Sequence, residues 1–98
     1  MISLEAKIYL KKSEEAGGMS DPGFSGMKPS FNIDGELITC RIFEISGKQK
    51  MPLGFEHKVK IELPYGENYS RILIEGYKFL LNIGGEIIGR GVITKVMN

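Results

Sequence analysis

Residues 79–96 read FLLNIGGEIIGRGVITKV, two runs rich in Leu, Ile and Val on either side of Gly84-Gly85. A glycine pair between two such runs is typical of a β-hairpin turn. Gly89 and Gly91 interrupt the second run, and a strand tolerates glycine mainly where it bends sharply or packs closely against other backbone. The stretch therefore predicts a C-terminal hairpin whose second strand bends to close a small barrel.

The length of the turn sets the register of this hairpin. A three-residue turn over 83–85 places the two glycines on one face with the apolar residues Tyr77, Phe79, Leu81, Ile87 and Ile93. A two-residue turn would place Phe79 opposite Arg90, so that one face would combine core residues with a charged one. We therefore favour the longer turn. The opposite face of the hairpin then carries a mixed set: Lys78, Leu80, Asn82, Glu86, Ile88, Arg90, Val92 and Thr94.

The other strand-like segments also favour an all-β fold. Residues 4–10 and 58–63 alternate between apolar and polar side chains, which is typical of antiparallel strands with one wetted face. Residues 31–45, with a turn at Asp34-Gly35, and residues 71–75 are further strand candidates. No long segment has a helical period. Strand-length runs at regular spacing, separated by glycine and proline, predict an all-β barrel or sandwich.

A long segment, residues 12–30, separates the first two predicted strands. It contains four glycines and two prolines, and loops of this length in small domains are often functional. We expect Phe24 and Met27 to anchor this segment to the barrel.

Length and composition restrict the available functions. The 98 residues predict one domain, 1–98, and the net charge of +1 gives no global field for nucleic acid or an anionic membrane. Cys40 is the only cysteine, and we interpret it as a small buried hydrophobe. No apolar run approaches the ~20 residues of a membrane span, and the N-terminus lacks a signal-like run. We expect a cytoplasmic protein with no membrane partner.

Common catalytic motifs are missing from the sequence. No segment fits the phosphate-binding loop of nucleotide hydrolases, so we do not expect GTP hydrolysis. A zinc site needs several Cys and His at set spacing, whereas the chain has one of each. His57 is interpreted as a surface strand residue, and the carboxylates are scattered rather than paired for acid–base chemistry. We expect no enzyme, no catalytic residue, no metal and no cofactor.

Two surface features favour binding instead. For contact with another protein we single out, on the outer face of the hairpin, Lys78, Leu80, Asn82, Ile88 and Arg90. Exposed apolar residues among charges often mark such contacts. Two alternatives stay open: loop 12–30 covers this face, or a second copy does so in a homodimer. The second feature is the basic turn Lys48-Gln-Lys50. We favour its interpretation as a solvated strand end, since no aromatic residue for base stacking is interleaved with it.

Short motifs in a fixed order resemble the third, C-terminal domain of elongation factor Tu and its relatives. They are LEAKIYL at 4–10, GGMSDPGF at 17–24, GMKPSF at 26–31, Met51-Pro52, GYKF at 76–79 and GGEIIGRGVITKV at 84–96. The resemblance implies a compact, small closed antiparallel β-barrel of about six strands in a Greek-key arrangement, in agreement with the periodicity. In the family this domain contacts the GTPase domain, the exchange factor and the T-stem of aminoacyl-tRNA, so the resemblance implies a translation-related binding role.

The chain departs from the family where the family places charge. Met19-Ser20 replaces Arg-His, Asn82-Ile83 replaces Arg-Glu, and Glu86 replaces an arginine. Arginine forms bidentate charged contacts with phosphate that these residues cannot form. The resemblance thus implies a barrel with an eroded tRNA surface. We favour a non-catalytic protein-binding module, with a translation factor or its regulator as partner. The alternative, an RNA- or tRNA-binding protein, would use the remaining family-like and basic positions, Lys28, Lys48, Lys50 and Gly84.

Overall fold

A computed structural model describes residues 1–12, 14 and 19–97, and the predicted all-β class is confirmed. In chain order the strands are β1 (Ile2–Leu10), β2 (Gly23–Phe24), β3 (Ser30–Ile33), β4 (Glu36–Thr39), β5 (Arg41–Glu44), β6 (Lys50–Met51), β7 (Glu56–Leu63), β8 (Lys78–Ile83) and β9 (Glu86–Val96). A short 3-10 helix, Gly66–Tyr69, lies between β7 and β8. Within the described residues, no helix has the length and apolar character needed to cross a membrane.

Seven strands form one strongly curled antiparallel sheet in the order β4-β3-β8-β9-β1-β7-β5, and β2 pairs with β6 in a second, small sheet. The large sheet is an open half-barrel, so the closed barrel of about six strands is not formed. Its two edge strands, β4 and β5, are separated in the chain by Cys40 alone, yet they do not pair with each other.

The outer edge of β5 is used by the long loop rather than by β4. The Ile42 amide donates a hydrogen bond to the Met27 carbonyl at 2.9 Å, and the Ile42 carbonyl accepts one from the Gly26 amide at 2.6 Å. These bonds occupy the backbone groups that a ladder to β4 would need. The barrel therefore stays open at this position.

The turn of the C-terminal hairpin has two residues, Gly84-Gly85, and pairs Ile83 with Glu86. The predicted three-residue turn is wrong. Gly84 has a positive φ of 59°, a conformation that glycine adopts readily and that suits tight hairpin turns.

A register shift in the same hairpin restores the predicted core face. The shift lies between Leu81 and Asn82, and beyond it Phe79 is opposite Gly91 instead of Arg90. The extra residue on β9 is Ile88, which makes this irregularity a β-bulge. Both glycines of β9 consequently face the core, as the sequence predicts.

The core consists of the inward side chains of the curled sheet. The alternation predicted for 4–10 and 58–63 is confirmed by the buried residues Leu4, Ala6, Ile8, Leu10, Val59, Ile61 and Leu63. Phe31 and Phe79 stack across β3 and β8 with ring centroids 4.2 Å apart. Cys40 is fully buried, as expected, and its thiol donates to the Pro29 carbonyl at 3.2 Å.

Two local expectations are wrong. Residues 71–75 form turns rather than a strand, because the amides of Ile72 and Leu73 both donate to the Tyr69 carbonyl. Phe24 does not anchor the long loop, since 57% of its surface is exposed, whereas Met27 is buried as expected.

Candidate functional site

An open groove of about 420 Å³ lies on the outer face of β8, β9 and β1. We call it the outer groove. Its lining includes the side chains of Lys7, Tyr9, Lys78, Leu80, Arg90 and Val92, and Glu56 of β7 contributes at one side. No residue from 19–30 is part of the lining, so the described part of the long loop does not cover this face.

Strand pairing arranges these side chains in two rows. In the first row Val92 of β9 is opposite both Lys78 of β8 and Lys7 of β1. The row continues onto β7, where Lys58 is opposite Lys7. These residues alternate with buried ones along their strands, and successive side chains of a strand point to opposite faces. The row therefore lies on the outer surface.

The second row runs parallel to the first and is displaced from it by two residues on each strand. Arg90 is opposite both Leu80 and Tyr9, and Tyr9 is opposite Glu56. The Arg90 guanidinium carbon lies 4.3 Å from the centre of the Tyr9 ring, within the range of a cation–π contact. This contact holds the guanidinium over the ring. The Arg90 side chain is nevertheless exposed, so its N–H groups face solvent.

The outer groove is rich in positive charge. Lys7, Lys78 and Arg90 line it, against the single carboxylate of Glu56. Lys58 of β7 lies just outside the lining, exposed and directly opposite the exposed Lys7 of β1. Like charges in directly opposite positions destabilise a sheet. The groove therefore concentrates positive charge on a chain whose net charge is only +1.

Three of the five residues predicted for protein contact meet in the outer groove: Lys78, Leu80 and Arg90. The placement of Ile88 and Asn82 on the outer face is wrong. The bulge turns Ile88 into the core, where 2% of it is exposed. Asn82 is 6% exposed, and its side-chain oxygen accepts a hydrogen bond from the Asn32 amide group at 3.0 Å.

The residues of the RNA-binding alternative lie in two places. Lys28 precedes β3 and Gly84 follows β8, and since Ser30 is opposite Asn82 these are neighbouring strand ends. Lys48 and Lys50 lie in the exposed connection from β5 into β6. Phe24 pairs with Lys50 across the small sheet, so an exposed aromatic ring accompanies the basic turn after all.

Lys7, Tyr9 and Glu56 were missed as candidates. Alternation along 4–10 already predicts an outward side chain for Lys7 and Tyr9. Their proximity to Arg90 depends on the pairing of the first strand with the last, a contact between distant parts of the chain that a single sequence does not specify.

The chain's single cysteine and single histidine both lie among the described residues. Among them, no three or more His, Cys, Asp or Glu side chains are grouped to hold a metal ion. Burial raises the pKa of the Cys40 thiol to about 12, which disfavours the nucleophilic thiolate. The His57 ring lies 2.8 Å from the Pro52 carbonyl through Nε2.

No protein-family model matches the chain.

Proposed function

We propose that this protein is a non-catalytic binding module that engages another protein through the outer groove. The observation that carries the proposal is the combination of partly exposed Leu80 and Val92 with three cationic side chains in one concave surface. Arginine and aromatic residues are enriched where protein interfaces gain most of their free energy. The Arg90–Tyr9 pair in the lining of the groove supplies both.

We further propose kinship with the third domain of elongation factor Tu. The support is the order of the short motifs, the antiparallel curled sheet and the two core-facing glycines of β9. On this proposal the open half-barrel is a variant of the family's closed Greek-key barrel. The partner would then be a translation factor or a regulator of one, in the cytoplasm.

Affinity capture from the source cell tests the protein-binding proposal. The wild-type chain is compared with Arg90→Glu, which reverses a charge in the groove, and with Arg71→Glu, the same change at an exposed position outside it. We expect a specific protein to be recovered with the wild type and with Arg71→Glu, and lost with Arg90→Glu. Equal recovery with all three variants, or no specific protein at micromolar bait, contradicts the proposal.

A homodimer through the same groove is a variant of this proposal. Light scattering distinguishes the two, because a dimer formed through the groove doubles the mass of the wild-type chain and dissociates in Arg90→Glu.

RNA binding is the second candidate function, and it is favoured by Phe24 beside the basic turn. Phe24 is 57% exposed and pairs with Lys50, and an aromatic ring next to cations is how many proteins hold single-stranded nucleic acid. This candidate predicts tRNA binding that weakens steeply with salt and is lost in Lys48→Glu and Lys50→Glu. A gel shift at low salt without a tRNA complex eliminates it.

A further inference from the structure

The charges and shape of the outer groove specify what kind of protein segment fits it. We infer that the occupant is an acidic, extended segment of a partner protein that carries an apolar side chain between its carboxylates. This inference rests on the proposed protein-binding function and adds the chemistry of the partner.

The cations of the groove are available to a partner. Within the part of the chain that the structure describes, neither Lys7 nor Lys78 forms an ion pair. Arg90 contacts the ring of Tyr9 rather than a carboxylate. An incoming carboxylate therefore gains charged hydrogen bonds without first breaking an existing ion pair.

Repulsion within the rows also favours an anionic occupant. Lys7 and Lys58 are exposed and directly opposite each other, an arrangement that costs the empty sheet stability. Lys78 lies on the same row, one strand beyond Val92. A carboxylate placed among these ammonium groups removes part of the repulsion, so the charges are more favourable in the complex than in the free protein.

The groove also offers apolar side chains to an occupant. Val92 of β9 is partly buried between Lys78 and Lys7, and Leu80 of β8 is 37% exposed. From β8 to β7 there are three gaps between neighbouring strands, about 14 Å in all at the usual strand spacing, which an extended chain crosses with about four residues. The occupant is accordingly a short stretch with acidic residues on both sides of an apolar one.

A protein segment fits this groove better than RNA does. The Arg90 guanidinium lies over the Tyr9 ring at 4.3 Å, so this face of the ring is not open for a base to stack on. Glu56 at the edge of the groove repels a continuous phosphate backbone. The combination of cations and aliphatic side chains instead suits alternating carboxylates and an apolar residue.

Fluorescence anisotropy with labelled synthetic peptides tests the inference directly. The probes are a peptide of about eight Glu and Asp residues, the same peptide with a central Leu, and its charge-reversed Lys counterpart, with tRNA as a further competitor. We expect the wild-type chain to bind the Leu-containing acidic peptide most tightly, with an affinity that falls as salt increases, and not to bind the Lys peptide.

Four variants test the location of the binding site. Lys78→Glu and Arg90→Glu are each expected to weaken binding of the Leu-containing peptide by about tenfold or more, the effect of losing one favourable charge contact of ~1.4 kcal/mol. Arg71→Glu, a matched change outside the groove, is expected to leave it unchanged. Leu80→Ser is expected to remove the advantage of the Leu peptide over the purely acidic one. Urea unfolding of each variant checks that the fold is retained.

Several results would overturn the inference. One is equal binding of the acidic peptide by wild type and Lys78→Glu. Another is tRNA displacing the peptide from the wild-type groove but not from Arg90→Glu, which would assign the same cations to phosphate. Peptide binding fails in a second case, while affinity capture is still lost in Arg90→Glu. The groove then binds a protein of other chemistry, which refutes the acidic occupant but not the proposed function. If capture is also insensitive to Arg90→Glu, the proposed function falls with it.

Discussion

Gly89 and Gly91 of β9 are positions where no larger residue fits without movement of its neighbours. A Cβ atom on Gly89 would lie 2.5 Å from the Tyr9 carbonyl oxygen, and one on Gly91 would lie 2.5 Å from the tip of the Phe79 ring. β9 can thus approach β1 and the aromatic stack closely because both residues lack a side chain. Spacing in the sequence was sufficient to predict that they face inward.

Alanine substitution tests these contacts. We expect Gly89→Ala and Gly91→Ala each to lower the free energy of unfolding by about 1–3 kcal/mol, the usual cost of overpacking. Gly89→Ala should cost more, because the atom in its way belongs to the backbone. Gly85→Ala is the control, since its Cβ meets no described atom within 4 Å and its φ is not positive. Urea unfolding gives the three values, and a Gly85→Ala cost equal to the others would contradict the account.

Because of Cys40, we expect the free energy of unfolding to change with pH in the alkaline range. Burial raises the pKa of its thiol from 9.0 to about 12, so the folded protein holds this proton more tightly than the unfolded chain. The stabilisation that the protonated Cys40 thiol gives to the folded state is complete below pH 9 and is lost as the pH rises towards 12. We expect the free energy of unfolding of the wild type to fall more steeply over this interval than that of Cys40→Ala. Urea unfolding at a series of pH values measures both slopes, and parallel curves would refute the prediction.

The β8–β9 hairpin is the element in which sequence reasoning was partly right. Its existence, its glycine turn and its core face follow from Gly84-Gly85 and the apolar runs. The turn length does not follow, because a two-residue turn with a bulge and a three-residue turn without one place Phe79 and Leu81 on the same face. Ile88, the bulge residue, and Asn82 are the predicted outer-face residues that are buried instead.

Ile88 therefore distinguishes the two hairpin registers in solution. We expect Ile88→Ala to lower the free energy of unfolding by about 2–4 kcal/mol, since its side chain is 2% exposed and truncation leaves a cavity. Leu80→Ala, at a position that is 37% exposed, should cost under about 1 kcal/mol. Chemical denaturation checks both. A small effect for Ile88, no larger than that for Leu80, would support the register without a bulge.

Two other parts of the fold could not be predicted, for different reasons. Residues 31–45 alternate well enough for strands, but nothing local specifies that β4 and β5 lie at opposite edges of one sheet with only Cys40 between them. The apolar run at 71–75 has strand-like composition, yet its backbone bonds back to Tyr69. For β4 and β5 tertiary context decides the placement, whereas at 71–75 a local turn replaces the strand.

At the scale of the whole molecule, an open half-barrel presents a concentrated cationic groove on a nearly neutral chain. The net charge of +1 predicts no global field but leaves room for a local patch, because composition gives the sum of charges and not their positions. The predicted outer face was partly apolar. With Ile88 in the core and Lys7 and Tyr9 brought beside Arg90, that face becomes more positive. The change in its character depends on the pairing of β1 with β9.

The central claim is that this groove is the binding surface, and amide chemical-shift mapping tests it most directly. The uniformly ¹⁵N-labelled chain is titrated with the Leu-containing acidic peptide. We predict that the largest shifts fall on the outer-groove residues of β1, β8 and β9, namely Lys7, Tyr9, Lys78, Leu80, Arg90 and Val92. Shifts confined to Lys48, Lys50 and the Gly84 turn, or no shifts at a saturating peptide concentration, would contradict the claim.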